Sequence, residues 1–187
     1  MSQQEYWQKL ISDVSVWNRW RQVNDDILID LSEMNLSNYN LEGINLQGCQ
    51  LSQTNFIGSN LRFANLAGTS LIETNLIGVN LRSANLHQAT LLKTKLHRAN
   101  LSEANLGQCL IIESDLSSSI LYETELGEAK IYQSDFTNTQ LVATHLVKAD
   151  LIQCDFTNSH IKNADFRWTD QFQNQDLIIG SWKSKRK

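Results

Sequence analysis

The chain has 187 residues, 41% of them apolar, and a formal net charge of −4, which is the composition of one soluble domain or repeat array. It contains no apolar run near the roughly 20 residues a membrane helix needs, and no charged start followed by an apolar core and a cleavage site, so the expected compartment is the cytosol. Its three cysteines, an odd number without a CxxC pair, fit neither a disulfide framework nor a zinc site, and proline is absent.

The first element in chain order is "QQEYWQKLISDVSVWNRWRQ", residues 3 to 22. Tyr6, Trp7, Leu10, Ile11, Val14, Trp17 and Trp20 recur at helix spacing, which predicts one amphipathic helix. Three of the five tryptophans fall within it. It is expected to lie over one end of the repeat array, with Trp7, Leu10, Val14, Trp17 and Trp20 as the covering surface, and residues 1–24 form this cap in the expected layout.

The array itself has a period of five, which belongs to neither helix nor strand. From Leu31 to Phe166 all 28 positions in steps of five carry Leu, Ile or Phe, without one insertion. Two residues before each lies a second restricted position, which from Cys49 to Thr169 holds only Ala, Ser, Thr, Cys or, once, Val79. Neither 3.6 nor 2.0 residues per turn keeps such a pattern on one face for 28 cycles. A chain that bends every five residues does: four bends close a square, and squares stacked at about 4.8 Å give seven coils and a rod about 34 Å long. This solenoid is expected over residues 25–170. All three cysteines, Cys49, Cys109 and Cys154, occupy the small inward position, as buried structural thiols.

The tail, 171–187, offers a short apolar stretch from Leu177 to Trp182, read as a C-terminal cap. A basic end completes it, read as a solvated, disordered terminus, with contact of Lys183, Lys185, Arg186 and Lys187 to an anionic partner as the alternative.

The motif A(D/N)LXX, present as Ala64-Asn65-Leu66, Ala84-Asn85-Leu86, Ala99-Asn100-Leu101, Ala104-Asn105-Leu106, Ala149-Asp150-Leu151 and Ala164-Asp165-Phe166, resembles the pentapeptide-repeat family. The resemblance implies an all-β solenoid, a right-handed quadrilateral β-helix, and looks similar to cyanobacterial members that carry an N-terminal helical piece. Handedness comes from the resemblance alone.

Folding the sequence modulo 20 shows which side chains meet. His87 and His97 fall on opposite faces, His145 and His160 on adjacent ones, and no histidine meets an inward cysteine. Without a phosphate loop, a nucleophile elbow, metal-ligand spacing or an inserted loop to build a pocket, neither enzyme activity nor a cofactor or metal is expected. One outward column is apolar: Ile72, Leu92, Ile112, Tyr132 and Ile152, with Leu110 on the same face. Such a strip fits a protein partner or a second copy of the chain, although stacked apolar side chains also stabilise a β-ladder by themselves.

Charge is uneven as well. Residues 31–107 hold four acids and five bases, whereas 108–170 hold ten acids and four bases, a net of −6. Glu113, Glu123, Glu125 and Glu128 make this the candidate acidic surface. The residue before the central apolar position also changes, from Asn at 11 of 16 sites between Asp30 and Asn105 to none from Leu110 to Asp165. The first half then reads as scaffold and the second as the recognition half.

Two functional classes remain: a non-enzymatic protein-interaction or scaffold module, or a mimic of B-form DNA of the kind by which some family members bind gyrase. The second is weakened by charge, because residues 31–170 carry a net of only −5, when a 34 Å duplex would carry about 20 negative charges. Direct nucleic-acid binding is not expected, because Arg62, Arg82, Lys93, Lys95 and Arg98 are dispersed among faces.

Overall fold

The computed structural model describes residues 2–172; the expected C-terminal cap and basic tail lie outside the described residues. Parallel bridges link Asp30 to Gln50, Gln50 to Ser70, Ser70 to Thr90, and so on through Leu110, Lys130 and Asp150 to Asp170. Seven steps of 20 residues are seven coils, as the period predicts. The four faces are numbered by their central residues: face 1 carries Leu31, face 2 Leu36, face 3 Leu41 and face 4 Leu46.

The hydrogen bonds explain the pitch. Leu31 N–H donates to the Gln50 carbonyl at 2.8 Å, and Gln50 N–H donates back to the Ile29 carbonyl at 2.9 Å. This pair of bonds, repeated on each face, joins every coil to the next. Within a coil the corner is a turn: Ile44 N–H bonds the Leu41 carbonyl at 3.1 Å, with Gly43 at φ +70 between them. A positive φ at the third turn position but not at the second, Glu42, marks a type II turn. It recurs two residues after every central residue, and 23 of the positions involved are not glycine. Left-handed backbone costs an L-residue roughly 1–2 kcal/mol, and more where Cβ is branched. Across these sites stand Gly, Asn, Gln, Glu, Ser, Lys, Arg, Ala, Phe and Trp, never Val, Ile or Thr. Replacing Ser118 (φ 59) by Val is therefore expected to lower stability by about 1–2 kcal/mol in urea melts, whereas Ser118→Gly should not.

The change from Asn to Asp before the central residue has a structural basis. Ten of the asparagines accept the backbone N–H two residues on, for example Ile57 N–H on Asn55 Oδ1 at 3.0 Å. Asp115, Asp135, Asp155 and Asp165 accept the same bond in the second half. The side-chain oxygen mimics a turn carbonyl in both residue types, so part of the second half's negative charge performs the corner bonding that asparagine performs in the first.

Where Thr90, Leu110, Lys130, Gln140, Asp150, His160 and Asp170 stand at this position the backbone extends into three-residue strands. These are β1 (Thr90–Leu92), β2 (Leu110–Ile112), β3 (Lys130–Tyr132), β4 (Gln140–Val142), β5 (Asp150–Ile152), β6 (His160–Lys162) and β7 (Asp170–Phe172). β1, β2, β3, β5 and β7 form a five-stranded parallel sheet on face 1, and β4 and β6 pair on face 3.

The core follows the pattern. Of the 28 central residues only Ile161 is half-buried and the rest are buried. At the small position, Thr54, Thr74, Thr94, Ser114, Thr124 and Thr144 are buried, and each hydroxyl donates to a carbonyl of the coil before, as Thr94 does to Leu71 at 2.6 Å. Phe136 and Phe156 stack in adjacent coils with centroids 4.9 Å apart. Burial pushes the thiols of Cys49 and Cys109 up to about 12 and that of Cys154 to about 11. An unfolded thiol titrates near 8.5. Each folded value is raised, so this contribution to stability is whole below about pH 8.5 and fades as pH rises toward about 12. A melt series against pH should show that alkaline decline shrink in a variant carrying Ala at 49, 109 and 154.

The N-terminal element differs from the expected single helix. It is two helices, α1 (Gln3–Ser12) and α2 (Val14–Gln22), separated by Asp13 in extended conformation at φ −169. Asp13 caps α2, accepting Ser15 N–H at 2.6 Å, and Ser2 with Glu5 forms a capping box on α1. Asp is weak in a helix interior and strong at an N-cap, so the chain breaks there.

Candidate functional site

The helices do more than cover the first coil, because three α2 side chains replace the backbone of a missing preceding coil. Asn18 donates to the Gly43 carbonyl at 2.9 Å and accepts Asn45 N–H at 2.8 Å, which is how a peptide unit would pair. Trp17 Nε1 donates to the Asn45 carbonyl at 2.7 Å, and Arg21 donates to that of Gln47 at 2.7 Å. Gln3 reaches the Ser32 carbonyl on face 1. Trp17 and Leu10 are buried, whereas Trp7, Val14 and Trp20 are partly buried against the core. Ring contacts of 5.6 Å join Trp20 to Tyr6 and to Trp17. Sequence periodicity places the tryptophans at the cap, but it misses Asn18 and Arg21, whose polar heads carry the edge pairing.

The apolar column lies on the five-stranded sheet. Leu92, Ile112, Tyr132 and Ile152 are in direct register through β1, β2, β3 and β5, and Ile72 continues the column. Leu92, Ile112 and Tyr132 are half-buried and Ile152 is 37% exposed. Leu110 pairs with Thr90 and Lys130 in the adjacent outward column of the same face.

The four glutamates do not form one patch. Glu113 lies on face 1, Glu123 on face 3, and Glu125 and Glu128 on face 4. Most are paired along their columns: Lys93 with Glu113 at 3.7 Å, His145 with Glu125 at 2.5 Å and Lys148 with Glu128 at 3.4 Å. Bonds from Gln108 and Lys148 hold the Glu128 carboxyl below its usual range, and a hydrogen bond with Glu123 raises the Tyr122 phenol. His97 bonds Ser117 on face 2, whereas His87 lies on face 4.

Face 4 also holds a depression, which a rod without inserted loops is not expected to have. It is an open trough of about 490 Å³, lined by Gly107 and Gly127 together with His87, Asn105, Gln108, Glu125, Glu128, Val147 and Lys148. Two glycines one coil apart at an outward position, 20 residues in sequence, are the signal that locates it. Among the described residues there is no group of three or more His, Cys, Asp or Glu that could hold a metal ion, and no helix long and apolar enough to cross a membrane.

A rod of stacked five-residue corners with a helical cap and, among the described residues, no convergent catalytic cluster is a repeat protein of the β-solenoid class. The pentapeptide-repeat profile matches residues 29–62, 59–98, 99–138 and 134–170, and the chain belongs to that family, whose fold is the right-handed quadrilateral β-helix. Among solved structures it is similar to alr5209, a pentapeptide repeat protein from Nostoc Pcc 7120, at 29% identity over 55% of this chain and 79% of that one, with a TM-score of 0.47. It is also similar to HetL from Nostoc sp. strain PCC 7120, a pentapeptide repeat protein involved in heterocyst differentiation regulation, at 24% identity, 76% and 86% coverage and a TM-score of 0.30. A third is the plasmid-mediated fluoroquinolone resistance protein QnrB1, at 16% identity, 78% and 81% coverage and a TM-score of 0.41. These superpositions are partial, and the family assignment rests on the repeat match. No curated protein sequence matches the chain.

Proposed function

We propose that this protein is a non-enzymatic interaction module of the cytosol, a rigid rod that presents face 1 to a protein partner. The observation that carries this reading is the unbroken apolar column Ile72, Leu92, Ile112, Tyr132 and Ile152, held in register by the sheet beneath it. An outward strip of this kind, half-buried from Ile72 to Tyr132 and exposed at Ile152, on a rod whose own core is already filled is suited to a second apolar surface. Polar flanks at Lys93, Glu113 and Lys130 would set the orientation of the partner. A second copy of the chain is the simplest partner to test.

Sedimentation velocity over a concentration series is the direct experiment. Self-association that disappears in Ile112→Lys and Tyr132→Lys, with melting unchanged, supports the reading for a homodimer. A monomer throughout moves the test to capture of a partner on immobilised wild type against the two variants. Equal capture by both would overturn the reading and leave the column as a ladder-stabilising device.

DNA mimicry is the weaker alternative. Glu113 and Glu128 of the acidic half are paired with Lys93 and Lys148, so face 1 and face 4 do not present two continuous rows of uncompensated negative charge, as a duplex does.

A further inference from the structure

Cap and rod are joined differently from coil and coil. Coils pair through the backbone, whereas among the described residues the five hydrogen bonds between the helices and the first coil all use helix side chains, those of Gln3, Trp17, Asn18 and Arg21. The two helices are held to each other instead, with the rings of Tyr6 and Trp20 5.6 Å apart. At 10 and 9 residues neither is long enough to be stable alone, so they act as one body. The segment that follows belongs to that body. Val23 and Asn24 N–H donate to the Trp20 and Arg21 carbonyls, the Asn24 side chain donates to Trp20, and Arg21 donates to the Asn24 and Ile27 carbonyls. Among the described residues no hydrogen bond ties residues 23–28 to the rod. Val23 and Leu28 are 80% and 71% exposed, whereas the next residue, Ile29, is fully buried. The joint is therefore sharp.

The docked cap also carries an electrostatic cost. Arg21 is 2% exposed, and its guanidinium is held only by the carbonyls of Asn24, Ile27 and Gln47, with no partner at Nε. Among the described residues it makes no ion pair. A charge kept from water without a counter-charge disfavours the closed state relative to one in which Arg21 is solvated.

We propose that the cap is a hinged lid: α1 and α2 leave the first coil together, turning about residues 23–28, while the coils stay folded. Opening frees the carbonyls of Gly43, Asn45 and Gln47 and the N–H of Asn45. These are the pairing groups of one extended edge, spaced at alternate residues. In the closed molecule that edge is occupied, so the lid decides when the end of the rod is open to strand pairing. Each coil of a solenoid contacts only its neighbours, so release of the end unit leaves the other coils intact. The device is independent of the face 1 reading, because it needs no partner on the apolar column.

Native-state amide hydrogen exchange of the full chain tests it, because one column of face 4 supplies matched amides. Asn45 N–H donates to Asn18 Oδ1 of the cap at 2.8 Å, whereas Asn85 and Asn105 N–H donate to the Ala64 and Ala84 carbonyls of the coil before, both at 2.9 Å. Asn45 is expected to exchange roughly tenfold faster or more than either, through an opening that leaves the rod folded. The deciding comparison is Leu96→Ala, which destabilises the rod equally whether the lid is open or closed. It should speed Asn85 and Asn105 by about thirtyfold or more and leave Asn45 at its wild-type rate. Ser118→Val supplies the same comparison with a smaller effect if Leu96→Ala does not fold. An Asn45 rate that rises in step with that of Asn85 would show that the cap leaves only when the whole chain unfolds, and would overturn the proposal. So would an Asn45 amide as protected as Asn85 while the amides of α1 and α2 exchange freely, which is fraying of the helices without release of the edge.

Discussion

Leu96→Asp is expected to abolish cooperative melting. Leu96 is fully buried at the centre of its face, packed among other central leucines, and its N–H donates to the Asp115 carbonyl at 2.7 Å. A carboxylate there would be desolvated with no partner, at a cost of several kcal/mol that rivals the roughly 5–15 kcal/mol total stability of a domain. Leu96→Ala, which only removes the side chain, should cost about 2–5 kcal/mol. Urea unfolding followed by far-ultraviolet circular dichroism checks both. A soluble Leu96→Asp variant with an unchanged midpoint would contradict the buried assignment of the central positions, which, Ile161 apart, share one environment.

The second large effect belongs to the cap. Trp17→Ala should cost about 3–5 kcal/mol, because it removes a fully buried indole and leaves the Asn45 carbonyl without its donor. Asn18→Ala should cost about 1–3 kcal/mol for each of the two backbone groups it orphans, Gly43 C=O and Asn45 N–H. Removing residues 1 to 24 exposes an unpaired parallel edge together with Ile29, Ile44 and the first leucines, and the truncated rod is expected to aggregate through that edge. Light scattering after concentration separates the outcomes. A stable, monomeric truncated rod would show that the helices are an appendage and not a lid.

Much of the fold is legible because the solenoid is nearly one-dimensional. Each residue's environment depends on its place within five residues and on the coil before and after, so a period read from the sequence carries over directly to burial. The period turns Leu31 to Phe156 inward, and they are buried; Ile161, in the last described coil, is only half-buried. It turns the cysteines to the small interior position, and they are found there. The tryptophans locate the cap, but nothing in the apolar spacing reveals the break at Asp13, because that spacing continues across it from Leu10 to Val14 while a local side-chain bond to Ser15 redirects the backbone.

The site is less legible than the fold, and for a different reason. Glu113, Glu123, Glu125 and Glu128 are close in sequence, yet each successive pentad turns a corner, so proximity along the chain scatters them over three faces. Columns 20 residues apart are the real neighbours, and they bring Lys93 to Glu113, His145 to Glu125 and Lys148 to Glu128. The trough arises in the same way, from two glycines that are ordinary singly and coincide only when coils are stacked.

The sequence by itself determined the coil, the core and the register, because those depend on a repeated choice of large, small and polar residues that no insertion interrupts. Tertiary structure alone decided which outward residues share a face, which charges neutralise one another, and which polar heads of α2 close the open edge. Those outcomes depend on contacts between coils or between helix and coil, separated by 20 or more residues, and no local period encodes the direction in which a long side chain turns at such a contact.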